Sequence, residues 1–245
     1  MQTAILVPAR LASTRFPKKL LYPIKGKSLI VHVAERIRQQ APEFPLVFAI
    51  DDVNLEREIR SHGFESIMTN PDHVSGTDRL AEANRHLGAK FVVNIQGDEP
   101  LVTRDQIIKL VEMLHSGAPM ATLATTFNTT ADFKDPNQVK VVLSNENNAL
   151  YFSRAPVPYM RDNNGKPSDY DIKQNFCYRH LGMYAYQADF LDKFSSLPQG
   201  HLEELEKLEQ LRALENGYSI AVAITSDPSI GVDTIEDAAL YEALL

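Results

Sequence analysis

The sequence predicts an α/β fold in which a mostly parallel sheet carries helices on both faces. Short apolar runs and amphipathic segments alternate through the first half of the chain, at the spacing of βα units. Of the 245 residues, 44% are hydrophobic and 23% are charged, which is typical of a globular protein and excludes a disordered or fibrous one. The chain shows neither an internal repeat nor a linker, so we expect a single domain over residues 1–245.

The elements of the first half follow one another in a regular order. Apolar runs predict buried strands at 4–7, 46–50, 66–69 and 91–95. Apolar side chains at helical spacing predict helices at 29–37, 53–62 and 76–87. Ser28 is a candidate N-cap for the first helix, and Gly63 and Gly88 end the other two.

The second half is less regular. We predict strands at 120–126, 139–144, 178–186 and 219–224, and helices at 202–216 and 234–245. Thr234 is a candidate N-cap for the last helix. Residues 154–175 are polar and rich in turn-forming residues, so we expect an excursion from the sheet, either a flap or a dimer arm. We assign about 150–190 to an inserted dimerisation arm.

Charge is distributed unevenly along the chain. The net charge is −7, but residues 1–34 contain no acid and six bases, so the rest of the chain carries −13. This acidic balance argues against nucleic-acid or anionic-membrane binding, while the basic start favours a small anionic ligand.

The single cysteine, Cys177, and the lack of any long apolar run predict a cytoplasmic protein that does not enter a membrane. Cys177 is interpreted as a small buried side chain.

A basic loop follows the first predicted strand, at the edge of the sheet where α/β proteins bind ligands. Residues 8–19 supply Arg10, Arg15, Lys18 and Lys19, and guanidinium groups suit phosphate oxygens. The alternative is a solvated charged loop. The segment has neither the Walker A nor the dinucleotide-binding pattern of glycines.

Two acidic segments are candidate magnesium sites. Asp98 follows another predicted strand, and Asp233 precedes the last helix. Carboxylates at such positions can bind Mg²⁺ together with phosphates and water. The alternatives are an ordinary turn at Asp98 and a helix cap at Asp233, and the metal site requires that the two carboxylates converge.

Three further features have structural and functional interpretations. Ser75 and Gly76 precede a helix and could face a base or a phosphate, or simply form a capping turn. His180 lies in an aromatic strand, where a site role is weakly indicated. The acidic side chains Glu203, Glu204, Glu206 and Glu209 are interpreted as a solvated helix face.

Together these segments resemble the 3-deoxy-manno-octulosonate (Kdo) cytidylyltransferases, nearly from end to end. The similar motifs are P-A-R-x-x-S-T-R-x-P-x-K at 8–19, D-H-x-S-G-T-D-R-L-A-E at 72–82, V-N-I-Q-G-D-E-P at 93–100, V-K-V-V-L at 139–143, A-L-Y-F-S-R-A-P-V-P-Y at 149–159, R-H-L-G-M-Y-A-Y at 179–186, L-E-x-x-E-x-L-E-Q-L-R at 202–212 and G-V-D-T-x-E-D at 231–237. Each motif alone is moderate evidence, but eight in the same order are specific.

The resemblance implies a Rossmann-like nucleotidyltransferase fold and a Mg²⁺-dependent homodimeric enzyme. It would couple CTP to Kdo, giving CMP-Kdo and pyrophosphate for lipopolysaccharide biosynthesis. The implied CTP-binding residues are Pro8, Ala9, Arg10, Ser13, Arg15, Lys19, His73, Ser75 and Gly76. The implied sugar-binding residues are Gln96, His180, Tyr184, Glu209 and Gln210, and the implied metal ligands are Asp98 and Asp233. The inserted region at about 150–190 is likewise implied to be a sugar-binding region. The implied catalytic residues are Arg10, Arg15, Lys19 and Asp98.

The chain departs from the family pattern within the basic loop. The family usually has P-G-K-P-L there, whereas this chain has Lys18 in place of the glycine and Leu20 in place of the proline. Residues 199–201 also lack a proline that is common in the family.

Rival functions are the same reaction on 8-amino-Kdo, another CTP:acid-sugar transferase such as a CMP-sialic acid synthetase, and a catalytically inactive nucleotide-binding regulator. The Kdo-like segments 179–186 and 202–212 argue against the sialic acid enzyme, and the intact basic and acidic site residues argue against the regulator.

Overall fold

The fold consists of a nine-stranded mixed sheet with helices on both faces, and a separate two-stranded ribbon. The structure is a computed structural model that describes residues 2–13, 16–174, 177–227 and 231–245. The strands are β1 (Thr3–Ala9), β2 (Pro23–Ile24), β3 (Lys27–Ser28), β4 (Leu46–Ile50), β5 (Glu65–Met68), β6 (Phe91–Asn94), β7 (Met120–Thr126), β8 (Lys140–Leu143), β9 (Ala149–Ser153), β10 (Tyr178–Gln187) and β11 (Ala221–Ile224). The helices are α1 (Leu29–Gln40), α2 (Val53–Ser61), α3 (Gly76–Leu87), α4 (Arg104–His115), α5 (Thr130–Lys134), α6 (Asp169–Ile172), α7 (Ala188–Ser196), α8 (His201–Glu206), α9 (Leu211–Glu215) and α10 (Ile235–Leu244).

The main sheet has the order β11-β7-β10-β6-β1-β4-β5, and β8 and β9 extend it beside β10. Its pairs are parallel except those that involve β10, and the β8–β9 pair. Because alternate side chains of a strand point to opposite faces, Ile5 and Val7 belong to one buried cluster, and Ala4 and Leu6 to the other. The mostly parallel mixed sheet with helices on both faces is therefore confirmed.

The predicted arm at 150–190 was too wide. β10 lies in the middle of the sheet between β6 and β7, and β9 pairs with β8. Of the described residues in this range, those between β9 and β10 leave the sheet, and their helix α6 buries Ile172 against Phe127, Phe133 and Cys177. Cys177 is buried as predicted. A role for this excursion in dimerisation stays a prediction.

The predicted helix at 202–216 is also wrong, because two short helices replace it. Lys207 adopts a left-handed backbone conformation with φ 53°, which ends α8 before α9 begins. Sequence reasoning also missed α4, α7 and β9. Ser28 precedes α1 but does not cap it with its side chain, since its hydroxyl donates to Glu58 Oε1 over 2.7 Å.

The described part of the chain contains no helix that is both long and apolar enough to span a lipid bilayer.

Candidate functional site

A cavity of about 410 Å³ opens at the carboxyl ends of β1 and β6, beside the first residues of α3. The predicted site residues that line it are Pro8, Ala9, Arg10, Ser13, Lys19, His73, Ser75, Gly76, Gln96, Asp98 and Asp233. Arg15 lies outside the described residues. The parallel arrangement of β1 and β6 explains the convergence, because their carboxyl ends meet at one edge of the sheet.

Lys19 joins the two predicted metal ligands. Its Nζ donates to Asp98 Oδ2 over 2.5 Å and to Asp233 Oδ1 over 2.8 Å. Burial by itself lowers the pKa of Lys19, but the two carboxylates outweigh it and hold the pKa above its ordinary value. The ammonium group therefore balances part of the negative charge that Asp98 and Asp233 bring together.

The convergence of Asp98 and Asp233 is built by the backbone. The Val232 amide donates to the Asp98 carbonyl over 2.9 Å. This hydrogen bond holds the segment before α10 against the loop that follows β6. Thr234 caps α10, as predicted, by accepting from the Asp237 amide. The alternative that Asp233 serves as the cap is wrong, because its carboxylate meets Lys19 instead.

The donor set suits Mg²⁺. Asp98 and Asp233 each place a carboxylate oxygen within 2.8 Å of the same nitrogen, so both reach one small cationic position. Within the described ranges, no group of three or more His, Cys, Asp or Glu side chains is arranged to hold a metal ion. Two carboxylates are nevertheless what Mg²⁺ typically takes from a protein that binds it together with phosphates and water.

The opposite end of the cavity is formed by the start of α3. Ser75 accepts from the Asp78 amide and caps the helix, so the capping interpretation of this hydroxyl is observed. Gly76 lies against Pro8, where an added Cβ would come 3.5 Å from the proline ring. His73 hydrogen-bonds Glu82, which holds the preceding loop against α3. Backbone and short side chains thus border this end of the cavity.

The glycine at 97 is explained by packing within the protein. A Cβ there would lie 3.1 Å from Ile30 Cδ1 and 3.4 Å from the Pro8 carbonyl oxygen. Glycine at this position therefore allows the loop after β6 to pack closely against α1 and the end of β1.

Lys18, the residue that replaces the family's glycine, has a left-handed backbone with φ 55° and ψ 31°. Glycine adopts this conformation without steric cost, whereas a residue with a Cβ does not. Leu20, which replaces the proline, is buried within the short 3₁₀ turn Lys19–Leu21. The turn keeps Lys19 at the cavity despite both departures.

A second group of predicted residues lies deeper, along β10. Tyr184 pairs with Asn94 at the end of β6, so the earlier part of β10 continues past the end of β6 while it still pairs with β7. His180 lies on this extension, 3.0 Å from Thr122 Oγ1 and with its ring centroid 5.4 Å from that of Tyr184. Burial lowers the pKa of His180 to about 3, so its imidazole is neutral at physiological pH. Burial likewise raises the pKa of Tyr184.

The break between α8 and α9 turns two polar side chains inward. Glu209 Oε2 accepts from Thr77 Oγ1 over 2.6 Å, and burial raises the pKa of Glu209. Among the described residues, Glu209 Oε1 and Gln210 Nε2 are buried without a hydrogen-bond partner. Buried polar atoms normally have one, so such orphans are candidate ligand contacts.

The interpretation of the acidic segment as a solvated face is therefore wrong for Glu209. It is also wrong for Glu203, which forms a buried bidentate pair with Arg212. Glu204 is exposed as expected.

The inner group, which we define as His180, Tyr184, Glu209 and Gln210, does not line the cavity itself. Thr77 links the two, because it follows Gly76 and contacts Glu209. The arrangement thus combines a charged cavity suited to phosphates with an adjoining buried region suited to a polar molecule.

Sequence reasoning missed two residues near the cavity. Arg79 lines it, and its Nη2 donates to Asp51 Oδ2 over 3.1 Å. The signal was available for both, because Asp51 directly follows the strand predicted at 46–50 and Arg79 belongs to the motif at 72–82.

Comparisons with known proteins agree with this geometry. The model of a family described as Cytidylyltransferase matches residues 4–220. A 3-deoxy-manno-octulosonate cytidylyltransferase of Syntrophobacter fumaroxidans is 49% identical, over 97% of this chain and 94% of the relative. An 8-amino-3,8-dideoxy-manno-octulosonate cytidylyltransferase of Shewanella sediminis is 45% identical, over 100% of this chain and 99% of the relative.

A solved structure of a CMP:2-keto-3-deoxy-manno-octonic acid synthetase complexed with CTP superposes with a TM-score of 0.90. It is 36% identical, and the match covers 100% of this chain and 98% of that one.

Proposed function

The chain belongs to the cytidylyltransferase family and is a nucleotidyltransferase, and from this premise we propose that it transfers CMP from CTP to the acid sugar Kdo. The products are CMP-Kdo, for lipopolysaccharide biosynthesis, and pyrophosphate. The observation that carries the proposal is the cavity itself, with Lys19, Asp98 and Asp233 at one end and the start of α3 at the other. One end suits a triphosphate and the other suits a base.

In this reaction the anomeric hydroxyl of the sugar attacks the α-phosphorus of CTP. A new bond forms between the sugar oxygen and the α-phosphorus, the bond from the α-phosphorus to the bridging oxygen breaks and releases pyrophosphate, and the hydroxyl proton passes to solvent. Such transfers depend on positioning and charge neutralisation. Arg10, Ser13 and Lys19 line the cavity and would bind the phosphates, with Arg15 from the same loop.

Asp98 and Asp233 would hold Mg²⁺, which acts as a Lewis acid toward phosphate oxygens. The two carboxylates orient the Lys19 ammonium by their hydrogen bonds and balance its charge. Lys19 contributes a point charge on a flexible stem, so it can turn toward a bound phosphate.

The sugar would bind against Gln96 and the inner group. The neutral His180 can donate or accept one hydrogen bond, and the orphaned atoms of Glu209 and Gln210 supply an acceptor and a donor. A polyhydroxylated acid suits such a set of directional contacts. The second candidate is 8-amino-Kdo, since a relative that acts on it by name is 45% identical along the whole chain.

A pyrophosphate-release assay tests the proposal. The protein is incubated with CTP, Mg²⁺ and, separately, Kdo, 8-amino-Kdo and N-acetylneuraminic acid. We expect the highest kcat/KM with Kdo. Preference for 8-amino-Kdo would assign the second candidate, and turnover with neither octulosonate would overturn the proposal.

The proposal includes a homodimer that works in the cytoplasm. The unpaired Cys177 is consistent with a reducing compartment. The excursion between β9 and β10 exposes Tyr159 and Tyr170, which are 70% and 73% accessible, and large exposed aromatic side chains are common at interfaces. Light scattering tests the dimer, and a monomer at micromolar concentration would contradict it.

A further inference from the structure

The end of β4 carries a buried ion pair that the proposed reaction does not use. Arg79 Nη2 donates to Asp51 Oδ2 over 3.1 Å, and the side chains are 5% and 13% exposed. Arg79 Nη1 also donates to Thr69 Oγ1 over 2.5 Å. Because buried charges are costly to leave without partners, each member of this pair strongly constrains the other.

The second oxygen of Asp51 reaches the basic loop. Its Oδ1 accepts from the Leu11 amide over 3.0 Å. β1 and β4 are parallel neighbours with Ala9 opposite Ile50, so Asp51 leaves its strand level with the start of the loop. Leu11 lies between the cavity-lining Arg10 and Ser13. The carboxylate therefore fixes the loop at its first step away from the sheet.

Arg79 connects this contact to the other end of the cavity. It lies one turn into α3, the helix that begins with the cavity-lining Gly76. The path Gly76, Arg79, Asp51, Leu11 thus joins the proposed base end to the proposed phosphate end through one helix turn, one ion pair and one hydrogen bond.

We infer that Asp51 is a positioning residue, which sets the distance between the basic loop and the start of α3 so that one nucleotide can contact both. This inference rests on the proposed function insofar as the nucleotide is CTP. Its effect belongs to nucleotide affinity, because Asp51 acts through the Leu11 backbone and not on the reacting atoms.

The test compares Asp51→Ala and Asp51→Asn in the full chain. Calorimetry measures the Kd for CTP, and hydrogen exchange measures how fast the Leu11 amide proton exchanges with solvent. In Asp51→Ala we expect CTP binding to weaken at least about tenfold and the Leu11 amide to exchange faster, because a buried charge loses its partner. We expect kcat at saturating CTP to stay within about threefold of the wild-type value. The lost contact stabilises bound CTP equally in the ground state and in the transition state, so its loss affects binding and not the chemical step. Asp51→Asn keeps an acceptor for the amide and should partly restore both measurements.

Asp52→Ala is the matched control. Asp52 is the next residue, but it caps α2 by accepting from the Asn54 amide over 2.7 Å. Its loss should lower stability and leave the Kd for CTP unchanged. CTP binding within twofold of wild type in folded Asp51→Ala, or an equal loss in Asp52→Ala, would overturn the inference. If Asp51→Ala does not fold, an unchanged Leu11 exchange rate and Kd in Asp51→Asn and Arg79→Lys would overturn it.

Tight CTP binding without turnover of any sugar would count against the proposed reaction. The inference about Asp51 could still be tested in that case, because the Kd for CTP can be compared between the variants without turnover.

Discussion

The charged end of the cavity and the inner group differ in how the protein holds their polar side chains. At the charged end, Asp98 and Asp233 are 28% and 47% exposed, and both hydrogen-bond Lys19. In the inner group, burial keeps His180 neutral and raises the pKa of Glu209. Two of its polar atoms, Glu209 Oε1 and Gln210 Nε2, lack a hydrogen-bond partner among the described residues, although Glu209 Oε1 lies 3.8 Å from Arg212 Nη2. The charges at the charged end pair with one another, whereas burial in the inner group disfavours charge on His180 and Glu209.

Because of this difference, the two regions should affect the stability of the fold and the binding of ligands in different ways. A partly exposed charge cluster contributes little net stability, because solvent screens it. Its proposed contribution is to function, through the binding of phosphates and Mg²⁺. A buried neutral group affects stability through the free energy needed to charge it, and it selects a ligand through a few directional contacts.

The largest expected effect is the loss of turnover on removal of one carboxylate at the charged end. Asp98→Ala and Asp233→Ala should each lower kcat at least about 100-fold, because each removes a proposed ligand of Mg²⁺ and a carboxylate that orients the Lys19 ammonium. Unfolding free energies should change by less than about 1 kcal/mol, since the pairs with Lys19 are partly exposed.

Asp105→Ala is the control for both variants. It removes an exposed carboxylate that pairs with Lys109 outside the cavity. Urea denaturation and pyrophosphate release measure the two quantities. If either site variant kept a third of wild-type turnover, its carboxylate would not belong to the reaction centre.

The second expected effect belongs to the inner group and appears in the pH dependence of stability. The pKa of His180 is lowered to about 3 in the folded protein, from an ordinary value of 6.5. The unfolded chain therefore binds more protons between these values, and the folded state loses stability as the pH falls below 6.5. A single group contributes at most about 1.4 kcal/mol per pH unit to this loss.

His180→Gln should reduce that slope between pH 6.5 and 5. Urea titrations at several pH values measure it, with the exposed His86→Gln as the matched control. Equal slopes in wild type and His180→Gln would show that His180 becomes charged in the folded protein, and the contrast between the regions would fail.

The same contrast decides how much of the site the sequence predicts. The charged end was predictable, because its residues lie in short motifs at the ends of strands, and parallel strands bring such ends together. The inner group was not predictable from local patterns. Glu209 faces inward because Lys207 breaks the helix in a conformation that lysine rarely adopts. For His180 and Glu209, resemblance to a family supplied the candidates.

The elements follow the same division. Apart from the short strands β2 and β3, which were missed, the strands and helices up to residue 95 were predicted nearly as observed, since each has its own periodicity and its own terminating residues. β10 was recognised as a strand, but its place between β6 and β7 depends on pairing with residues 52 to 96 positions earlier. No local pattern specifies such a register, which is why it was assigned to an arm.

The smallest expected effect concerns Lys18, at the turn that carries Lys19 to the charged end. Its φ of 55° strains a residue with a Cβ, and glycine would remove that strain. Lys18→Gly should therefore stabilise the protein by up to about 1 kcal/mol, or roughly 2–4 °C in Tm for a chain of this size.

Lys173→Gly provides the opposite control, because Lys173 is exposed with an ordinary φ of −72°. There glycine only adds freedom to the unfolded chain, so the variant should lose up to about 1 kcal/mol. Calorimetric scans of the two variants measure the difference in sign. If Lys18→Gly also lost stability, contacts of the Lys18 side chain would outweigh the backbone strain. In that case the lysine that replaces the family's glycine would stabilise the turn at the charged end rather than destabilise it.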